Sequence, residues 1–375
     1  MKLVVFGLSL SSSWGNGHAT TYRSLLRAFA KRGHQITFYE WDAPWYRGEN
    51  RDLPSPDFAD LVLYANWESI RDRATAEARG ADATIVGSYV HQGPDVIDGL
   101  ADAGVRPLVF YDIDTPVTVA ALRRGGAEYL RADQVPLFDR YLSFSGGPLL
   151  HDVLEAELGA RAASPLYCSV DIDNYTPVPA DAEYAVDLAY MGTYAPDRQP
   201  VVERFLLEVA KRLPERRFII AGPQYPEGME VPPNVRLIPH VPPARHSAFY
   251  SSARWQLNAT RADMVAAGWS PSVRLFEAGA VGAAILSDRW AGIGELFREG
   301  FEIVLPESTD EVVRLITETS NEERKAIGEA MRTRIVAEHT AGRRAQDLEQ
   351  YLLAGGDRLD DAEVAAGRSA NAGRR

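Results

Sequence analysis

The chain of 375 residues exceeds one typical domain and fits two of Rossmann size plus a tail, with the apolar and aromatic content of a soluble enzyme. Its net charge of −12 argues against a nucleic-acid partner, which needs a basic footprint, but allows a small anionic ligand held by a few arginines. The single cysteine, Cys168, excludes an internal disulfide and a cysteine-rich metal site; the expected compartment is a reducing cytoplasm, with no transmembrane segment and no signal peptide.

Lys2–Leu8 reads as a buried strand and Gln35–Glu40 as the second. Between them lie a Ser-rich loop, the run S-W-G-N-G-H-A at Ser13–Ala19, and a helix through Arg32 whose buried face is Leu25, Leu26, Phe29 and Ala30. Backbone N–H groups at Gly15 and Gly17 can approach a phosphate, and His18 is the titratable side chain beside them. A nicotinamide-dinucleotide fingerprint with Glu40 as the ribose acid is the competing reading. It lacks its third glycine, since Thr20 stands there, and a long loop separates Gly7 from Gly15.

Further strands are expected at Leu61–Tyr64, Ala83–Ser88, Pro107–Asp112 and Arg140–Phe144, with helices over Glu68–Arg79 and Val96–Ala103. This alternation implies a parallel sheet covered on both faces, with ligands beyond the carboxyl ends of its strands. The loops Ser13–His18, Tyr89–Gly93 and Asp112–Pro116 fall at that edge. They make His18, His91, Asp112 and Asp114 candidates for acid–base work, each with a plain loop cap as its alternative. No two of the four have metal-ligand spacing.

A short strand ending at Val170-Asp171 and the proline-bearing run to Pro179 read as an interdomain connection. A second α/β series follows. Val186–Met191 is a strand, Gly192–Arg198 a loop and Val201–Arg212 a helix; Phe218–Ala221, Val235–Pro239 and Trp255–Ala259 are strands, with a helix at His246–Ser252. Arg198 stands before a helix as His18 does in the first half, and His240-Val241 offers backbone groups to a nucleobase edge. The stretch Gly268–Asp288 reads as a helix with Ser270 as N-cap and Pro271 at its first position, then the strand Ile285–Leu286. Val273, Phe276 and Ala280 share its apolar face, and Ser270, Arg274 and Glu277 share another. An open helix start, a cation and a carboxylate suit a diphosphate next to a ribose; the alternative is a solvated Arg274–Glu277 pair. Glu302–Leu305 is read as a strand, then come helices from Thr309, over Asn321–Glu338 and over Arg343–Leu353, and a mobile tail.

With these residues in place the chain resembles the GT-B glycosyltransferases, most closely the spore-maturation CgeB-like branch with a family-4/family-1-type C-terminal half. P-S-V-R-L-F-E-A-G-A-V-G-A-A-I-L-S-D is similar to the donor-site helix of that group, Y-M-G-T-Y-A-P-D-R to its first C-domain strand and phosphate loop, L-Y-C-S-V-D-I-D-N-Y-T-P to its domain-joining segment, and V-R-L-I-P-H-V-P to its base-contacting loop. The resemblance implies an α/β fold of two Rossmann-like, doubly wound domains facing an interdomain cleft. It implies an acceptor domain over 1–170, a linker over 171–183, a donor domain over 184–340, a helix over 341–355 packing back on the first domain, and the tail 356–375.

For activity, the resemblance implies transfer of a sugar from a UDP- or TDP-type donor to a hydroxyl-bearing small-molecule or glycan acceptor, with no cofactor and no metal. Glu277 matches the acid that accepts bonds from the donor ribose; Ser270, Ser272 and Val273 match the diphosphate cradle; Arg198 and Arg274 match the cations facing the leaving group; Gly15 matches the glycine near the phosphates. Gly17, Gly192, Thr193, His240 and Val241 complete the donor side, and His91, Asp112 and Trp269 are placed on the acceptor side. Many relatives carry an acid eight residues before the second one, where this chain has Trp269. Trp269 is expected either to stack on a sugar or to pack. An inverting route would use Asp114 as base, then His18; a retaining route needs no strong base. An epimerase of the same architecture and a sugar-nucleotide-binding protein without turnover are the competing functions.

Overall fold

The computed structural model describes residues 1–14 and 17–355, so Gly15 and the tail 356–375 lie outside the described residues. The chain divides into two compact units, one of Met1–Cys168 with the chain from Ala341, the other of Ser169–Thr340. Each is built on its own all-parallel sheet.

The first unit runs β1 (Lys2–Gly7), α1 (His18–Lys31), β2 (Gln35–Trp41), β3 (Asp60–Tyr64), α2 (Arg71–Arg79), β4 (Ala83–Gly87), α3 (Gly93–Asp102), β5 (Leu108–Asp112), α4 (Thr115–Arg123), β6 (Arg140–Ser143) and β7 (Ala163–Pro165). The strand order is β3-β2-β1-β4-β5-β6-β7. All of β4 and β5, and all of β1 but Lys2, is buried, the signature of strands covered on both faces. The winding reverses between β1 and β4, which opens a crevice beyond their carboxyl ends. The strand expected to end at Val170-Asp171 is absent. Its place in the sheet goes to β7, and Val170 makes only an isolated bridge to Thr340. Asp171 bends the chain instead, its carboxylate accepting from Asp173 N (3.0 Å) and Asn174 Nδ2 (2.8 Å), as an Asx turn does.

The second unit runs β8 (Leu188–Met191), α5 (Gln199–Val202), α6 (Glu208–Arg212), β9 (Phe218–Ala221), β10 (Val235–Ile238), α7 (His246–Ser252), β11 (Trp255–Asn258), α8 (Ala262–Ala267), α9 (Val273–Ala280), β12 (Ile285–Ser287), α10 (Ile293–Leu296), α11 (Thr309–Glu318) and α12 (Asn321–Glu338). Its order is β10-β9-β8-β11-β12, with the reversal between β8 and β11. Glu302–Leu305 forms no full strand; it contributes single bridges, Leu286 to Val304 and Glu299 to Ile303. The last helix, α13 (Ala341–Ala354), returns to the first unit. Its Ala345, Leu348, Tyr351 and Leu352 join the core of Leu25, Leu26 and Phe29, and Glu349 pairs with Arg32. Among the described residues no helix is long and apolar enough to cross a membrane.

Candidate active site

Gly268 (φ +67°) and Trp269 (φ +42°) bend the chain ahead of α9, so the helix begins at Val273, two residues later than the expected start at Pro271. Ser270, expected as N-cap, is buried, and Ser272 holds the cap position. The Ser272 hydroxyl does not cap either, because it donates to Asn258 Oδ1 at 2.7 Å. The first turn of α9 is thus left without a side-chain cap; Leu275 N donates to Ser272 O (3.1 Å), and the N–H groups of Val273 and Arg274 precede it at the helix start. Phe276 and Ala280 are buried as expected for the apolar face, whereas Val273, on that first turn, is 37 % exposed.

Arg274 and Glu277 do not form the solvated pair that their spacing allows. Both are buried, and each turns to its own partners. Arg274 Nε donates to Met191 O at the end of β8 (2.5 Å), Nη1 donates to Asn258 Oδ1 at the end of β11 (2.8 Å), and the guanidinium lies over the Tyr190 ring at 4.8 Å. The strands flanking the reversal therefore aim this cation. Arg198, at the start of α5, is half-buried, with its Nε buried and unpartnered. Burial, and then the neighbouring guanidiniums of Arg274 and Arg261, hold Arg198 below the ordinary arginine range. Asp197 answers Arg261 at 3.4 Å, yet among the described residues no carboxylate forms an ion pair with Arg198 or Arg274. Gly192 lets Arg274 and Tyr190 pack directly against the backbone. A Cβ there would stand 2.7 Å from Arg274 Nη2 and 2.5 Å from the Tyr190 hydroxyl. Thr193 follows, half-buried.

Glu277, one helical turn beyond Arg274, receives two phenols: Tyr175 Oη donates to Oε1 at 2.8 Å and Tyr250 Oη to Oε2 at 3.0 Å. The Tyr175 hydroxyl also lies 3.1 Å from His246 Nδ1, and His246 Nε2 lies 3.1 Å from Val241 O. Neither tyrosine was singled out by the sequence reading. Tyr175 stood in the segment read as a linker, where the aromatic of D-I-D-N-Y-T-P was the available signal, and Tyr250 lies four residues after His246 on α7. Val241 is buried with its carbonyl engaged by His246, whereas His240 is exposed. Trp269 packs: its ring covers Gly292, where it fills the place of a Cβ, and its indole N–H donates to Glu295 at 2.8 Å.

In the first unit, His18 and Asp114 come together. His18 Nε2 is 3.8 Å from Asp114 Oδ2, and the Tyr89 hydroxyl donates to that same oxygen at 3.1 Å. Tyr89 has φ +64° and sets its ring edge-on to His18 at 5.1 Å. The Asp114 carbonyl starts α4 by accepting from Val117 and Thr118, which leaves the side chain free to face His18. Asp112, expected on the acceptor side, is closed to solvent. It accepts from Tyr141 (2.5 Å), Thr118 (2.8 Å) and Asp114 N (3.2 Å), and burial pushes its carboxyl up to about 6. His91 is stacked on Trp41 at 3.9 Å instead of joining the His18–Asp114 pair. Gly17 precedes α1 with open space where a Cβ would lie. Glu40, the would-be ribose acid, is buried and accepts from the N–H groups of Leu10 (2.6 Å) and Ser11 (2.8 Å), so it anchors the loop after β1.

Among the described residues no group of three or more His, Cys, Asp or Glu could hold a metal ion. Residues 198–350 match a family described as glycosyl transferase-like. No curated protein matches the chain in sequence. Solved structures superpose over nearly its whole length. HepE of Anabaena in complex with UDP is 13 % identical with a TM-score of 0.66, covering 94 % of this chain and 100 % of that one. Sucrose-phosphate synthase of Thermosynechococcus elongatus is 12 % identical with a TM-score of 0.64, covering 93 % and 97 %. Trehalose-6-phosphate synthase is 12 % identical at 0.64, covering 94 % and 99 %. The fold is GT-B. In this GT-B chain the family match includes Arg198, Tyr250, Arg274 and Glu277 and excludes Tyr175 and the His18–Asp114 pair.

Proposed function

We propose that the protein is a cytoplasmic glycosyltransferase that moves a hexosyl group from a UDP- or TDP-type sugar donor to a hydroxyl-bearing small molecule or glycan, without a metal ion. The observation that carries this reading is the pair of half-buried Arg198 and buried Arg274 at the β8–β11 reversal, with which no carboxylate among the described residues forms an ion pair. Withdrawing cations from water without a counter-charge is costly, and an anion that binds there offsets the cost. A nucleotide diphosphate supplies that anion, and Glu277 on the same helix supplies an acceptor for ribose hydroxyls. Support also comes from the glycosyl transferase-like match over 198–350 and from the UDP bound in the similarly folded HepE.

The acceptor oxygen attacks the anomeric carbon as the bond from that carbon to the β-phosphate oxygen breaks. Arg198, Arg274 and the uncapped start of α9 hold the charge of the departing diphosphate. For an inverting transfer the base proposed is Asp114 of the first unit, whose carboxylate is oriented by Tyr89 and lies beside His18; a retaining transfer needs no strong base.

The test is thermal stabilisation by UDP and TDP in the presence of a chelator, followed by a hydrolysis and transfer screen across nucleotide sugars. UDP or TDP should raise the melting temperature without added metal, and NAD should not. Arg274→Ala should abolish the shift. Equal shifts from NAD, or an unchanged shift in the variant, refute the donor site. Binding without release of sugar from any donor would leave a sugar-nucleotide-binding protein as the function.

A further inference from the structure

The buried end of Glu277 carries information beyond the diphosphate cradle. A carboxylate that is 7 % exposed calls for hydrogen-bond donors, and both of its oxygens are already served by phenols from opposite sides in sequence. Tyr250 comes from α7 and Tyr175 from the run ahead of β8, in the segment that opens the second unit. Burial first, and then the Glu277 charge, push the Tyr175 and Tyr250 hydroxyls up, so both stay protonated and act as donors. Each phenol has one proton, so each fixes one oxygen, and together they set the plane and direction of the carboxylate. With its proton given to Glu277, the Tyr175 hydroxyl presents lone pairs to His246 Nδ1, 3.1 Å away.

We infer that Tyr175 is a positioning residue of the nucleotide site, acting with Tyr250 to aim the free lone pairs of Glu277 at the ribose part of a nucleoside diphosphate. This rests on the donor-site reading above and deepens it by dividing the site in two. Arg198, Arg274 and the α9 start recognise the diphosphate; the Tyr175–Glu277–Tyr250 clamp governs the sugar of the nucleoside. The two parts share α9 but have separate ligands among the side chains. A segment outside the glycosyl transferase-like match thereby contributes to the donor site.

The two halves of the ligand can be presented separately. UDP carries ribose and diphosphate, and inorganic pyrophosphate carries the diphosphate alone. Titration calorimetry of the full chain with each should show tight UDP and weaker pyrophosphate binding. Tyr175→Phe keeps the ring and its packing and removes one hydroxyl. It should weaken UDP about tenfold or more and leave pyrophosphate within twofold. Tyr250→Phe should do the same. In a Glu277→Gln background, Tyr175→Phe should cost UDP little more, because the group it aims has already been changed. Wild-type UDP affinity in Tyr175→Phe overturns the positioning role, and so does a parallel loss of UDP and pyrophosphate, which would mean general damage. Wild-type protein that binds neither ligand overturns the donor site itself, and the clamp falls with it.

Discussion

At Asp112 burial and chemistry pull against each other. The sequence offers an acid at the carboxyl end of a strand, the usual place for a catalytic group, but the fold closes water off from it and surrounds it with Tyr141, Thr118 and the Asp114 N–H. Its carboxyl, pushed by burial from 3.8 to about 6, binds a proton more tightly in the folded than in the unfolded chain. Its stabilising effect is therefore complete below the unfolded value and is lost as pH rises through about 6. The full effect is on the order of 2–4 kcal/mol. Chemical denaturation at closely spaced pH values should show wild-type stability declining between pH 4 and 6 relative to Asp112→Asn, with parallel curves above pH 7. Identical profiles would mean that the carboxyl titrates normally. Asp114, two residues on, shows the opposite outcome. The same loop pattern leaves its side chain accessible and next to His18, a distinction that depends on which residues cover the loop and so is not written in the loop itself.

At the scale of elements, two helix starts in the second unit are built for different ends. α12 opens with a full capping box: the Ser320 hydroxyl accepts from Glu323 N (3.1 Å), and Glu323 accepts from Ser320 N (2.9 Å). α9 has no such closure, because Ser272 gives its hydroxyl to Asn258. Ser320→Ala should lower stability by about 1 kcal/mol and leave UDP affinity unchanged. Ser272→Ala should cost less stability, there being no cap to lose, and weaken UDP severalfold because it loosens Asn258, which also holds Arg274. Melting curves and UDP titrations of the two variants check the contrast. The sequence placed a helix in this stretch and put Arg274 and Glu277 on it. It set the start two residues early, because Ser270-Pro271 has the local pattern of a start, whereas the left-handed turn at Gly268-Trp269 and the contact with Asn258 belong to the packed state.

For the whole molecule, the last helix matters as much as the sheets. α13 follows the second unit in the chain yet fills the core of the first, where Leu348 is fully buried. Leu348→Ala should cost about 2–5 kcal/mol, seen as a lower melting temperature, while UDP affinity at low temperature stays near wild type. Loss of UDP binding in the folded variant would contradict it.

The resemblance of its motifs implied the GT-B architecture. The sequence by itself determined the rhythm of strands and helices, the two parallel sheets, and the helix bearing Arg274 and Glu277. Those features follow from patterns a few residues long: alternation of apolar runs with helical stripes, and glycine or proline where the chain turns. Only the tertiary structure decided that Asp112 is a buried support, that His91 stacks on Trp41, that Glu40 anchors a loop, and that Trp269 packs on Gly292. It also decided that Tyr175 meets Glu277 across 102 positions of chain. The reason is physical: periodicity fixes which face a side chain takes on its own element, but the partner on that face is set by how the sheet winds.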